Sequence, residues 1–111
     1  MGYDSGLVRL ADALWVFRAV EKDLPIQVAH VFIYVATHDG CLQEHISEAL
    51  GMTDASVSRA LDWLGKEHRS GKPGLKLIRK DRDPEYWRRF KVFLTPKGEA
   101  FAEQLNQSLE D

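Results

Sequence analysis

Apolar residues recur at helical spacing from Leu7 to Val20, through Leu7, Leu10, Ala11, Leu14, Phe17, Ala19 and Val20. That periodicity predicts a first helix, with Asp4 or Ser5 available to cap its start. Asp23-Leu24-Pro25 ends it and opens a second helix, with Asp23 as N-cap and Pro25 in the first turn, where a missing N–H costs nothing. Val28, Val31, Phe32, Val35 and Ala36 form the apolar stripe of this second helix, which stops near His38-Asp39-Gly40 at a glycine able to take a left-handed cap. Cys41 and Leu42 predict a very short strand. Glu44 to Leu50 predicts a short third helix with Ile46, Ala49 and Leu50 inward, broken by Gly51-Met52. Thr53 caps a fourth helix reaching about Glu67, with Val57, Ala60, Leu61 and Leu64 inward.

Ser70-Gly71-Lys72-Pro73-Gly74 is a loop signal. Alternation then takes over, in Leu75 to Lys80 and again in Phe90 to Leu94, and predicts a two-stranded hairpin with a charged turn at Asp81-Arg82-Asp83-Pro84-Glu85. Thr95-Pro96 caps and starts a last helix whose apolar face is Ala100, Phe101, Leu105 and Leu109. The expected architecture is mostly α with a small β-hairpin (α+β), in the order α-α-β-α-α-β-β-α. Two helices followed directly by a basic hairpin are the order of a winged helix-turn-helix.

The stretch from Gln43 to Leu61 fits a helix-turn-helix in detail. The helix crossing needs a small residue, and Ser47 is there. The turn four positions later needs a residue tolerant of positive φ, and Gly51 is there. Met52 and Val57 supply the apolar positions after the turn, and Ile46, Leu50 and Leu61 join the two helices. Ala55, Ser56, Arg59, Trp63 and Lys66 point outward, and residues 56, 59, 63 and 66 share one stripe. Small side chains let such a helix approach base edges, Arg59 can donate two hydrogen bonds to a guanine, and Ser56 and Ser58 can bond to phosphate or base. A plain αα-hairpin with a glycine cap would share the glycine, but not the full spacing set followed by a basic hairpin.

Composition sharpens this picture. The chain has 111 residues, of which 44% are hydrophobic, enough for one domain with one core. Its net charge is −2, but the distribution is uneven. Residues 66–97 hold eleven basic and four acidic side chains, a net of +7, and the remainder carries −9. A basic surface on an acidic body is the footprint of one face meeting a polyanion; the plainer alternative is a solvated loop region of mixed charge. No window approaches the roughly 20 apolar residues of a membrane span. The N-terminus lacks the basic start and apolar run of a signal peptide, so the cytosol is the expected compartment.

At Leu50–Leu64 and again at Arg88–Leu105 the chain resembles the MarR family of winged-helix regulators. The recognition-helix core is Ala55-Ser56-Val57-Ser58-Arg59-Ala60-Leu61, and the end of the wing is Val92-Phe93-Leu94-Thr95-Pro96-Lys97-Gly98. Leu24-Pro25-Ile26-Gln27 is similar to the family's entry to its second helix. Two features depart from the pattern: Tyr86 stands where the family's wing usually has an aspartate, two residues before Arg88, and the segment from Arg69 to Arg89 is longer than usual. The resemblance implies a transcriptional regulator that binds double-stranded DNA as a homodimer. Its helix-turn-helix would span 43–67, its wing 75–95, and its dimerisation helices 1–22 and 97–111, all in one domain. It also implies Arg88 at the minor groove. The residues themselves add Lys80, Arg82 and Arg89, since cations on a hairpin suit a narrow, electronegative groove. Thr53, Ala55, Ser56, Ser58, Arg59, Trp63 and Lys66 complete the expected DNA-contacting set. Trp87 is expected to pack as the hairpin's apolar anchor.

Other chemistry is sparse. A lone cysteine, Cys41, excludes an internal disulfide. With Asp39 and Glu44 nearby and no local cation, it reads as a structural thiol rather than a redox sensor. His38, Cys41 and His45 have no diagnostic metal spacing. No nucleophile–base pattern occurs, and Gly71-Lys72-Pro73-Gly74 is too short for a phosphate loop. The sequence therefore predicts a non-enzyme with no cofactor, no metal and no distinctive effector pocket. The competing reading is a winged-helix module that docks on a transcription or replication protein, with Trp63, Tyr86 and Trp87 as anchors.

Overall fold

The computed structural model describes residues 2–67, 70–86 and 89–110, with side chains from Ser5 onward. Trp87 and Arg88, and with them the expected packing of Trp87 and the groove contact of Arg88, lie outside the described residues, as does Arg69.

The element order is α1 (Gly2–Val20), α2 (Ile26–Thr37), β1 (Cys41–Leu42), α3 (Gln43–Leu50), α4 (Asp54–Leu64), β2 (Ile78–Arg82), β3 (Phe90–Leu94) and α5 (Pro96–Leu109). The sheet has three antiparallel strands in the order β1-β3-β2. Cys41 pairs with Val92, and the hairpin register runs from Ile78 opposite Leu94 to Arg82 opposite Phe90. The core lies where α1, α2 and α5 meet the helix-turn-helix. Phe17, Phe32 and Phe101 pack edge to face, with ring centres 5.3 to 6.2 Å apart, a favoured arrangement of aromatic quadrupoles. Ile46, Val57, Leu61, Leu64, Leu77 and Val92 extend this core under α3, α4 and the hairpin.

Several local expectations need correction. Helix α1 runs through Asp4 and Ser5, so neither caps it. Asp23 does not cap α2: its N–H donates to Glu21 Oε1. Pro25 holds the N-cap position, and its carbonyl accepts from the N–H groups of Val28 and Ala29. On α1 the buried residues are Ala13 and Phe17, whereas Leu7, Leu10 and Leu14 are exposed. Ala49 and Ala100 face solvent, and Leu109 is 47% exposed.

The fourth helix stops at Leu64, not near Glu67, because Gly65 turns extended. The carbonyls left open there accept from a later segment: Leu75 N–H donates to Trp63 O (2.9 Å), Lys76 N–H to Gly65 O (2.9 Å) and Leu77 N–H to Leu64 O (2.8 Å). Those N–H groups are thus spent on a helix end, which is why β2 starts at Ile78 rather than Leu75 and runs on to Arg82. Lys76 takes a left-handed φ of 60° in the process.

Candidate nucleic-acid interface

The turn between α3 and α4 is fixed by short-range bonds. Gly51 has φ +64°, and Met52 N–H donates to Ser47 O at 3.1 Å. Thr53 Oγ1 accepts from Ser56 N–H at 3.1 Å, the N-cap bond of α4, and donates to Ser56 Oγ at 2.9 Å. Ser47, at the helix crossing, donates to Asp54 Oδ1 at 2.7 Å, so the small residue demanded by the crossing also ties α3 to the first residue of α4.

This geometry presents the start of α4 to solvent. Thr53, Ala55 and Arg59 are exposed, while Ser56 and Ser58 are half-buried. Arg59 makes no hydrogen bond or ion pair among the described residues, so its guanidinium is available to an incoming ligand. Trp63 is half-buried and packs against the core. With Thr53, Ser56 and Arg59 it lines an open groove of about 450 Å³ between α4 and the start of α2. Lys66 is exposed but lies beyond the end of α4, off the stripe of residues 56, 59 and 63.

The wing stacks its cations on its own rings. Arg79 lies 4.6 Å from the ring centre of Phe93, while Arg82 and Lys80 lie 5.1 and 6.0 Å from that of Phe90. Such contacts hold long side chains extended along a hairpin. Arg89 stacks on Tyr86 at 4.8 Å and reaches Glu44 of α3 at 3.6 Å. A shallow depression of about 370 Å³, lined by Leu42, Gln43, Glu44, Asp54, Arg89 and Phe90, joins the starts of α3 and α4 to the root of the wing. The structure thus brings Thr53, Ala55, Ser56 and Arg59 together along the N-terminal half of α4 and its cap, and places Lys80, Arg82 and Arg89 on the neighbouring hairpin.

Asp83 is the residue that sequence reasoning missed. It is buried, its Oδ1 accepts from Glu85 N–H at 2.9 Å, and its own N–H donates to Arg89 O at 3.0 Å. This is an Asx-turn that closes the wing loop. The signal was the aspartate directly before Pro84, which read only as a solvated turn residue.

Cys41 is buried in β1, and burial pushes its thiol above the ordinary range; its own backbone opposes this and the Asp39 charge adds to it. That is the environment of a structural thiol. Among the described residues no three His, Cys, Asp or Glu side chains gather as a metal site, and no helix is long and apolar enough to cross a membrane.

Short helices crossing at a glycine turn, backed by a three-stranded sheet whose last hairpin flanks them, define a winged helix-turn-helix. No protein-family model matches the chain, and a comparison with curated proteins finds no match. Solved structures do match. The S. aureus MepR–DNA complex is 26% identical, covering 88% of this chain and 73% of that one, with a TM-score of 0.72. A MarR-like transcriptional regulator from Thermotoga maritima is also 26% identical, covering 78% of this chain and 56% of its own length, with a TM-score of 0.62. A protein from Mycobacterium tuberculosis, 17% identical, superposes at a TM-score of 0.75 over 96% of this chain and 68% of its own. The chain has a winged-helix fold and is similar to MarR-like transcriptional regulators.

Proposed function

We propose that this protein is a transcriptional regulator that binds double-stranded DNA sequence-specifically as a homodimer. Helix α4 would enter the major groove, and the wing would lie at the minor groove and the flanking phosphates. The observation that carries the reading is the exposed Arg59, unpaired among the described residues, on the same helix as Ala55 and Ser56, whose start adjoins a hairpin bearing Lys80, Arg82 and Arg89. Small side chains allow close approach, the arginine reads a base edge, and wing cations such as Lys80 neutralise phosphates. The likeness to MepR, solved as a DNA complex, supports the same reading.

The second copy is supported by an apolar groove of about 540 Å³ between α1, α2 and α5, which includes Leu10, Leu14, Ile33, Leu105 and Leu109. Leu7, Leu10 and Leu14 are 45 to 58% exposed on α1, apolar surface of the kind that marks an interaction site. Residues of α1 and α5 would then form the dimer contact, with 43–67 and 75–95 as the reading units.

The test is a fluorescence-anisotropy titration against random-sequence duplex at several salt concentrations. Affinity that falls linearly in log–log form with salt supports phosphate contacts, and selection for a preferred duplex then follows. Absence of binding at low salt would refute the reading in favour of a protein-docking winged helix. Arg59→Ala is expected to abolish preference at one base-pair position, at a cost of about 1–3 kcal/mol.

A further inference from the structure

Arg89 is bound on every side that the structure describes. Its guanidinium covers the Tyr86 ring at 4.8 Å, and one of its nitrogens stands 3.6 Å from Glu44 Oε1. Its backbone N–H donates to Tyr86 O at 2.8 Å, and its carbonyl accepts from Asp83 N–H at 3.0 Å. Both charged groups of the pair are about half-exposed. Glu44 lies in the first turn of α3, where the helix dipole favours a carboxylate. Helix α3 is in turn fastened to the start of α4 by Ser47 Oγ on Asp54 Oδ1 at 2.7 Å and Gln43 Nε2 on the Asp54 carbonyl at 3.5 Å. One continuous chain of contacts therefore runs from the wing loop, through Arg89 and Glu44, to the first residue of α4, the helix that carries Arg59.

A cation with no carboxylate beside it is the readier phosphate ligand. Arg89 already faces a carboxylate, and a phosphate would have to compete with it. Lys80, by contrast, contacts only the Phe90 ring among the described residues. We infer that Arg89 is a positioning residue: through Glu44 it sets where the wing sits relative to α4, and so contributes to discrimination between duplex sequences rather than to phosphate neutralisation. This rests on the DNA-binding reading above. Glu44, a carboxylate that phosphates repel, becomes a specificity determinant through Arg89.

The test uses the full chain in Glu44→Gln, Arg89→Gln, the double variant and the reversed pair Glu44→Arg with Arg89→Glu. Each is titrated against the tightest duplex selected by the unsubstituted chain and against random duplex, over a salt series. A half-exposed ion pair is a small lever, so each single variant is expected to lower the preference for the selected duplex by about two- to fivefold. The slope of affinity against salt should stay unchanged, the double variant should be no worse than either single one, and the reversed pair should regain part of the preference. A merely structural role would lower the melting temperature without moving the preference, and that result would overturn the inference. So would a phosphate-ligand result: Arg89→Gln weakening both duplexes alike with a slope smaller by about 0.9, and Glu44→Gln tightening both. Failure of the unsubstituted chain to bind any duplex at low salt would overturn the DNA-binding reading and this inference together; the other outcomes overturn the inference alone.

Discussion

Gly98 sits in the first turn of α5, buried, against the backbone of Leu77. A Cβ built on it would overlap the Leu77 carbonyl oxygen and stand 2.9 Å from the carbonyl carbon. Both groups are backbone and neither can rotate away. The same junction holds Thr95 N–H on Leu77 O at 3.0 Å and Thr95 Oγ1 on Lys76 O at 2.7 Å. Gly98→Ala must therefore push α5 off the 75–77 segment. Overpacking of this kind costs about 1–3 kcal/mol, and weakening two hydrogen bonds adds about 1 kcal/mol each. Alanine's better helix propensity returns about 1 kcal/mol. The expected net loss is about 2–4 kcal/mol, or roughly 8–16 °C in Tm for a domain of this size.

Gly6→Ala is the matched control. Gly6 is also helical, but nothing lies within 4 Å of its added Cβ. The same chemical change there should stabilise by about 0.5–1 kcal/mol. Thermal unfolding followed by circular dichroism, at one protein concentration, reads both. If Gly98→Ala melts at or above the unsubstituted chain, α5 does not dock on Leu77 as described and the reasoning is refuted.

Gly51→Ala keeps open space around the new methyl but forces an L-residue to φ +64°, so denaturant unfolding should show a loss of about 1–2 kcal/mol. Removing a ring from the aromatic trio by Phe101→Ala should cost about 3–5 kcal/mol, and a loss under 1 kcal/mol by the same assay would mean the core is not centred there. Leu10→Glu with Leu14→Glu, on the exposed side of α1, should convert a dimer to a monomer by light scattering while leaving the far-ultraviolet spectrum intact. Cys41 has a raised folded pKa, so its contribution to stability is fully present below the unfolded value and is lost as pH rises through the folded one. Iodoacetamide should accordingly react slowly at neutral pH and quickly after denaturation.

The helix-turn-helix was legible because its demands are local. Gly51, Thr53 and Ser47 each satisfy a backbone or crossing requirement within a few residues, and the structure shows each requirement as a specific bond. Thr95-Pro96 was legible for the same reason, with Thr95 Oγ1 accepting from Gly98 N–H at 3.0 Å. What periodicity could not choose was the inward side of α1. Its apolar residues cover more than one face, and only the positions of Phe32 and Phe101 decide that Phe17 turns in and Leu7, Leu10 and Leu14 turn out. Leu75 and Leu77 alternate like a strand, yet their N–H groups go to the end of α4, a partner more than ten residues back that no strand pattern encodes. The Arg89–Glu44 pair was hidden likewise, since it joins positions 45 apart in sequence.

Those hidden contacts converge on one joint. Trp63, Leu64 and Gly65 at the end of α4 accept from residues 75–77; the carbonyls of Leu75, Lys76 and Leu77 in turn accept from Lys97 Nζ, Thr95 Oγ1 and Thr95 N–H. A three-residue segment thus uses its N–H groups on α4 and its carbonyls on the start of α5, and then continues directly into β2. Hydrogen bonds at 2.7–3.0 Å on both sides leave this segment little freedom. Lys76 is held at φ 60° because the geometry is over-determined by its neighbours. The end of α4, the base of the wing and the first turn of α5 are thereby tied at one point, and the wing makes a second, separate tie to the helix-turn-helix where Arg89 reaches Glu44 of α3.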